Sequence, residues 1–185
     1  AFVLPVRLCA AIVAGDPQAK QKLFDGLAEG IVFLESATGK QFGSRRSPLL
    51  VSVRSGAARS MPGMLDTVLD VGCTSAAVHG LLRMSGHPRF AWDCRRRFLE
   101  CYAGVVLGLN PAPFVGRLDA MVIAEGVGSA QALDGEAVER LAGQFQQTID
   151  DEDDAVSDDP MEQLLAAAQA VYRSWTSARA RTSSS

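Results

Sequence analysis

The stretch Leu49–Leu69 reads LLVSVRSGAARSMPGMLDTVL, and the fold turns on how it is parsed. Leu49–Val53 is apolar and β-branched and lies between Pro48 and a glycine-containing segment, which predicts a buried strand. Ser55–Gly63 is small and polar and is interrupted by Gly56, Pro62 and Gly63, which predicts an ordered loop. Asp66 or Thr67 then falls near the start of an expected short helix. On this parsing the strand delivers Arg54 to its carboxyl end, where α/β sites open. Gly56 and Gly63 let an anion approach backbone N–H groups. The helix that follows would add the partial positive charge of its N-terminus. An arginine beside converging amides suits phosphoryl transfer, which depends on positioning and charge neutralisation. The same residues also suit a plainer reading, in which Arg54 pairs with a carboxylate and the glycines only make turns. Composition and spacing do not decide between the two. Neither GxxxxGK[ST] nor GxGxxG is present.

Outward from this unit the chain reads as mostly helical. Ala1–Leu4 is expected as a short strand, with Pro5 opening a helix toward Gly15. Asp16-Pro17 caps a helix with Leu23, Phe24, Leu27, Ile31 and Leu34 at helical spacing, ending near Thr38-Gly39. Beyond the central unit, Thr74 or Ser75 caps a segment ending near Gly86. Pro88 opens a helix through Trp92, Phe98 and Tyr102. Asn110-Pro111 opens another with Phe114, Leu118 and Met121 inward, and Asp134 caps one with Val138, Leu141 and Phe145. Asp150–Asp159 is an acidic stretch, read as a solvated, mobile linker. Pro160 starts a last helix with Leu164, Leu165, Ala168, Val171, Tyr172 and Trp175. Asp151, Asp153 and Glu162 fall at calcium-loop spacing, but Val156 holds the position that needs glycine.

At 185 residues, 48% hydrophobic and 21% charged, the chain is long and apolar enough for a substantial core. A net charge of -3 argues against a nucleic-acid binder. No apolar run approaches the ~20 residues of a membrane span. The start, AFVLPVRLCAAIVAG, is interrupted by Pro5 and Arg7 and reads as the middle of a longer protein. Cys9, Cys73, Cys94 and Cys101 form no CxxC pair, and neither His79 nor His87 stands at metal-ligand spacing with them. Cys94 and Cys101, on one helix, would lie about 10 Å apart along its axis. Four free thiols in a reducing cytoplasm are expected.

Val51–Leu69 closely resembles the signature of the pyruvate, phosphate dikinases. Leu34–Gly43 (LESATGKQFG), Pro88–Phe98 (PRFAWDCRRRF) and Asp159–Arg181 resemble further segments of that family, in the same order. The resemblance implies an α+β, predominantly α-helical fold. A partial ATP-grasp first subdomain with a small sheet would span 1–70 and 160–185, with a helical insertion subdomain over 71–159. In that family ATP, inorganic phosphate and pyruvate interconvert with AMP, diphosphate and phosphoenolpyruvate. ATP's β-phosphoryl group passes to a histidine on a separate swivelling domain, and phosphate takes the γ-phosphoryl group. Carried over by position, Arg54 and Arg97 would contact the ATP phosphates, and Gly63, Met64 and Leu65 would offer backbone amides to the γ-phosphate. The resemblance also implies Mg2+ with ligands outside this chain, a phosphohistidine domain in the same parent chain, a cytoplasmic setting and room for a homodimeric parent. Neither His79 nor His87 matches the phosphoacceptor motif. Arg95 stands where the family has tyrosine and is expected on the surface. By itself the chain is expected to bind ATP weakly and to be inactive. Two other readings are a segment of a phosphoenolpyruvate synthase, which uses water in place of phosphate, and a non-catalytic nucleotide-binding or regulatory module.

Overall fold

The computed structural model describes the backbone of residues 1–55 and 66–182, and the side chains of 1–55 and 66–175. The elements arise from local signals first. A 3-10 turn over Val6–Leu8 leads into α1 (Cys9–Val13). In α2 (Pro17–Thr38) the Asp16 carboxylate accepts the Gln18 N–H at 2.9 Å, Pro17 occupies the first turn, and Gly39 closes the helix at φ 67°. Ala19, Leu23, Leu27 and Ile31 are buried, whereas Phe24 is 37% exposed and lies at the edge of the stripe. Ala1–Leu4 is not a strand: it has no ladder partner among the described residues and lies along α2 instead. Phe2 seats so closely on Gly30 that a Cβ there would stand 2.4 Å from the ring.

Two small sheets follow. Strands β1 (Gln41–Phe42) and β2 (Pro48–Leu49) pair parallel, while β3 (Val51–Arg54) and β4 (Thr67–Val71) form an antiparallel hairpin. The run expected as one strand therefore changes sheets at Leu50. The expected helix at Asp66 or Thr67 is strand β4. Thr67, Val68 and Val71 are β-branched, and Val68 and Val71 are fully buried against the core. Pairing with β3 satisfies a backbone that five residues of helix could not. Between Val51↔Val71 and Val53↔Val68 strand β4 carries an extra residue, a bulge at which Asp70 adopts φ 55°.

The remaining helices are α3 (Ser75–Ser85), α4 (Pro88–Tyr102), α5 (Ala112–Ala124), α6 (Gly135–Asp150) and α7 (Pro160–Thr182). Thr74 caps α3 by accepting the Ala77 N–H, Gly86 ends it at φ 64°, and Asp134 caps α6 through Ala137 N–H. Helix α4 continues into a π-turn over Ala103–Leu107 that Gly108 closes in the left-handed region. It packs on α6, α3 and β4, and α7 returns across α1, α2 and both strands of the hairpin. Phe98, Leu99, Leu141, Phe145 and Leu164 lie in one contiguous core with Leu23, Val68 and Val71. The Tyr172 hydroxyl donates to the Pro5 carbonyl at 3.1 Å, tying α7 to the first residues.

The acidic stretch is solvated at Asp150–Asp153 but anchored at its end, contrary to a free linker. Asp158 accepts the Ser75 N–H at 2.8 Å, and Asp159 caps α7 by accepting the Met161 and Glu162 N–H groups. Among the described residues no set of three His, Cys, Asp or Glu converges as a metal site. No described helix is long and apolar enough to cross a membrane.

Candidate functional site

The site is built on the β3–β4 hairpin and the helix that covers it. Arg54 is the last residue of β3, exposed, with its Cα opposite Thr67. No described carboxylate pairs with it, so the plainer reading of this arginine finds no partner among the described residues. Gly56, Gly63, Met64 and Leu65, the expected amide donors, lie outside the described residues. Because Thr67–Val71 is strand β4, the helix expected at Asp66 or Thr67 does not stand there. The first helix beyond the hairpin starts at Ser75, where Thr74 and Asp158 already occupy its N–H groups.

Helix α4 carries Arg95, Arg96 and Arg97, about 100° apart around its axis, and each side chain has a different destination. Arg95 is not a surface residue. Its Nη1 donates to the Cys73 carbonyl at 2.5 Å, its Nη2 to Gln146 Oε1 at 3.1 Å, and its guanidinium carbon lies 5.7 Å from the Phe98 ring centroid. Desolvation from burial lowers its pKa, partly offset by the neighbouring Cys73 and Asp158. Arg96 is held by Asp93 and Glu100, one turn before and one turn after, at 2.9 and 2.8 Å. Arg97 faces β4 and has one ion-pair partner among the described residues: its Nε lies 3.9 Å from Asp70 Oδ2, with 42% of the side chain exposed. Of the three, Arg97 alone keeps its terminal nitrogens without a hydrogen bond to any described residue.

Asp70 gave no signal in the sequence. It sits in the bulge of β4, three residues from Thr67 and thus about 10 Å along the strand from the Arg54 end. Its Oδ2 is buried without a hydrogen bond. Burial raises its pKa, Arg97 pulls the other way, and Asp93 adds to the rise. Three thiols lie close to it, and burial raises the pKa of each. Burial lifts Cys73 well above the usual thiol range and pushes Cys94 up to about 12. Cys101 is raised by burial too, with partial relief from the Leu69 backbone. None of the four cysteines forms a disulfide. His79 and His87 are exposed, one on α3 and one at the mouth of α4.

Gln163 was also invisible to pattern reading. It is fully buried on α7; its Oε1 accepts the Gly72 N–H at 3.0 Å and its Nε2 donates to the Ser157 carbonyl at 2.7 Å. Gly72 itself is at φ 90°, and a Cβ there would stand 2.4 Å from the Phe42 ring. The corner that follows Asp70 is thus held from both sides.

Comparison with curated proteins places this arrangement. The chain is 38% identical over 181 residues to a pyruvate, phosphate dikinase of Clostridium symbiosum, covering 97% of this chain and 21% of that protein. This chain is homologous to one segment of the pyruvate, phosphate dikinases. The chloroplastic pyruvate, phosphate dikinase 1 of Arabidopsis thaliana is 40% identical over 180 residues, covering 97% of this chain and 19% of the relative. The Entamoeba histolytica dikinase is 34% identical over 180 residues, again covering 97% of this chain and 20% of the relative. The chain spans about a fifth of the length of the dikinases it matches. No protein-family model matches it. The signature at Val51–Leu69 therefore pointed to the right relatives.

Proposed function

We propose that this chain forms one wall of the ATP-binding cleft of a pyruvate, phosphate dikinase. It corresponds to part of the first ATP-grasp subdomain, over 1–70 and 160–185, with a helical insertion over 71–159. The observation that carries the proposal is the match to dikinases along nearly the whole chain. The geometry supports it: Arg54 and Arg97, whose guanidinium groups make no hydrogen bond to any described residue, belong to one hairpin and its covering helix. In this reading Arg54 and Arg97 neutralise the polyphosphate from two sides, and the amides of Gly63, Met64 and Leu65 face the γ-phosphate. Their work is orientation and charge stabilisation, the form of catalysis that phosphoryl transfer needs. Mg2+ accompanying ATP would neutralise part of the phosphate charge. In this reading the protein ligands of the metal belong to other parts of the dikinase. The histidine that accepts the phosphoryl group belongs to another domain, and inorganic phosphate is the second acceptor.

Arg54→Ala in a full-length dikinase carrying this chain should abolish formation of AMP and diphosphate from ATP and phosphate. Exchange between pyruvate and phosphoenolpyruvate should continue. Normal ATP-dependent phosphorylation of that variant would sink the assignment of Arg54. A requirement for inorganic phosphate in turnover separates this activity from that of a water dikinase.

A further inference from the structure

Asp70 holds an unfavourable position on two counts. Its backbone is left-handed at φ 55°, a conformation that strains most residues other than glycine and that Asp and Asn tolerate best. Its Oδ2 is buried without a hydrogen bond, a state in which a carboxylate loses hydration and gains little. The one ion-pair partner among the described residues is Arg97, approached at Nε. Two other carboxylates on α4, Asp93 and Glu100, could draw Arg97 away, but both are engaged by Arg96, whose side chain is only 14% exposed. The arrangement therefore sorts the arginines: Arg96 takes the carboxylates of its own helix, and Arg97 is left to a single carboxylate on the strand.

The direction of approach matters. A guanidinium grips a phosphate through paired N–H groups in a planar fork. At 3.9 Å the Asp70 carboxylate makes no hydrogen bond to Nε, but its charge attracts the guanidinium from that side and leaves the N–H groups of the two terminal nitrogens open. We propose that Asp70 is a positioning residue for Arg97, holding its guanidinium from the Nε side so that the terminal nitrogens meet a polyphosphate already oriented. This inference rests on Arg97 being a phosphate contact, as proposed above.

The test titrates inorganic triphosphate into the 185-residue chain while following the arginine Nε–H resonances by NMR. Asp70→Gly deletes the carboxylate and suits the positive φ, so the bulge is retained; Asp70→Asn keeps a side-chain oxygen near Arg97. A positioning role predicts about a tenfold weaker affinity for Asp70→Gly and a loss within about threefold for Asp70→Asn. It also predicts that Asp70→Gly adds nothing further once Arg97→Ala is present. A merely structural role would weaken binding by the same factor in either background, which overturns the inference. Affinity in Asp70→Gly equal to or tighter than that of the unaltered chain also overturns it, because Asp70 would then only compete with the anion. Undiminished binding by Arg97→Ala, or no triphosphate-dependent shift at Arg97 in the unaltered chain, refutes the phosphate-contact reading itself. The two failures are thereby told apart.

Discussion

Replacing Gln163 by methionine removes the side-chain amide that bonds α7 to the corner after β4, while keeping an unbranched side chain of similar length. Gln163 is 0% exposed, and its amide serves two backbone groups, the Gly72 N–H at 3.0 Å and the Ser157 carbonyl at 2.7 Å. After substitution the Gly72 N–H stays buried with no acceptor, at a cost of about 1–3 kcal/mol. The Ser157 carbonyl is partly open to water and adds about 1 kcal/mol at most. The expected loss is therefore about 1–4 kcal/mol, a large share of the roughly 5–15 kcal/mol that holds a domain together. For a chain of this size that lowers Tm by roughly 2–16 °C. In urea the midpoint should fall with the slope unchanged, since the surface exposed on unfolding is the same. Asp158→Ala is the control: it removes the exposed bonds to Ser75 and should cost less than about 1 kcal/mol. If Gln163→Met loses less than about 0.5 kcal/mol, the range of an ordinary surface change, Gln163 does not hold this corner.

Three further outcomes follow from the same geometry. Asp70 has a folded-state pKa above its unfolded value, so its ionisation opposes folding: its contribution is most favourable below the ordinary carboxylate range and is lost as pH rises through the raised value. Asp70→Asn should accordingly raise Tm near pH 7 and lose that advantage near pH 3, as scanning calorimetry at the two pH values will show. Cys73 and Cys94 should resist iodoacetamide in the native chain and react in denaturant, because with a pKa of about 12 only on the order of one Cys94 thiol in 10,000 is ionised near pH 8. Prompt stoichiometric labelling of native Cys94, read by mass spectrometry, contradicts this. Gly72→Ala meets both a positive φ and the Phe42 ring 2.4 Å from the new Cβ, and should destabilise by about 2–4 kcal/mol in urea unfolding. Pairing it with Phe42→Ala should relieve the clash and leave the backbone strain; an unchanged penalty in that background counts against the clash.

Much of the helical framework was legible because its signals act within one turn. Asp16 with Pro17, Thr74, Asp134 and the glycines at 39 and 86 each satisfy or terminate a helix through atoms a few residues away. Apolar spacing then located the buried faces of α2, α4 and α6, although Phe24 came out at the edge. The signature from Val51 to Leu69 identified the relatives before any geometry was known. The segment after the loop was misread for a definite reason. Asp66-Thr67 looks like a helix cap, and five residues are too few for periodicity to speak. Strand β4 exists because β3 supplies its hydrogen bonds from across a loop.

The side-chain assignments within the site belong to tertiary structure throughout. Three consecutive arginines are indistinguishable as letters. Their roles separate only when α4 lies between the hairpin and α6, bringing Cys73 and Gln146 to Arg95 and Asp70 to Arg97. The same holds for Gln163, whose partner at Gly72 is 91 residues away. Caps, turns and amphipathic stripes are written in neighbouring residues, so the chain alone could specify them along with its kinship to the dikinases. Which charges are buried, paired or left available for a phosphate depends on desolvation and on partners brought from distant parts of the chain, and only packing assigns those.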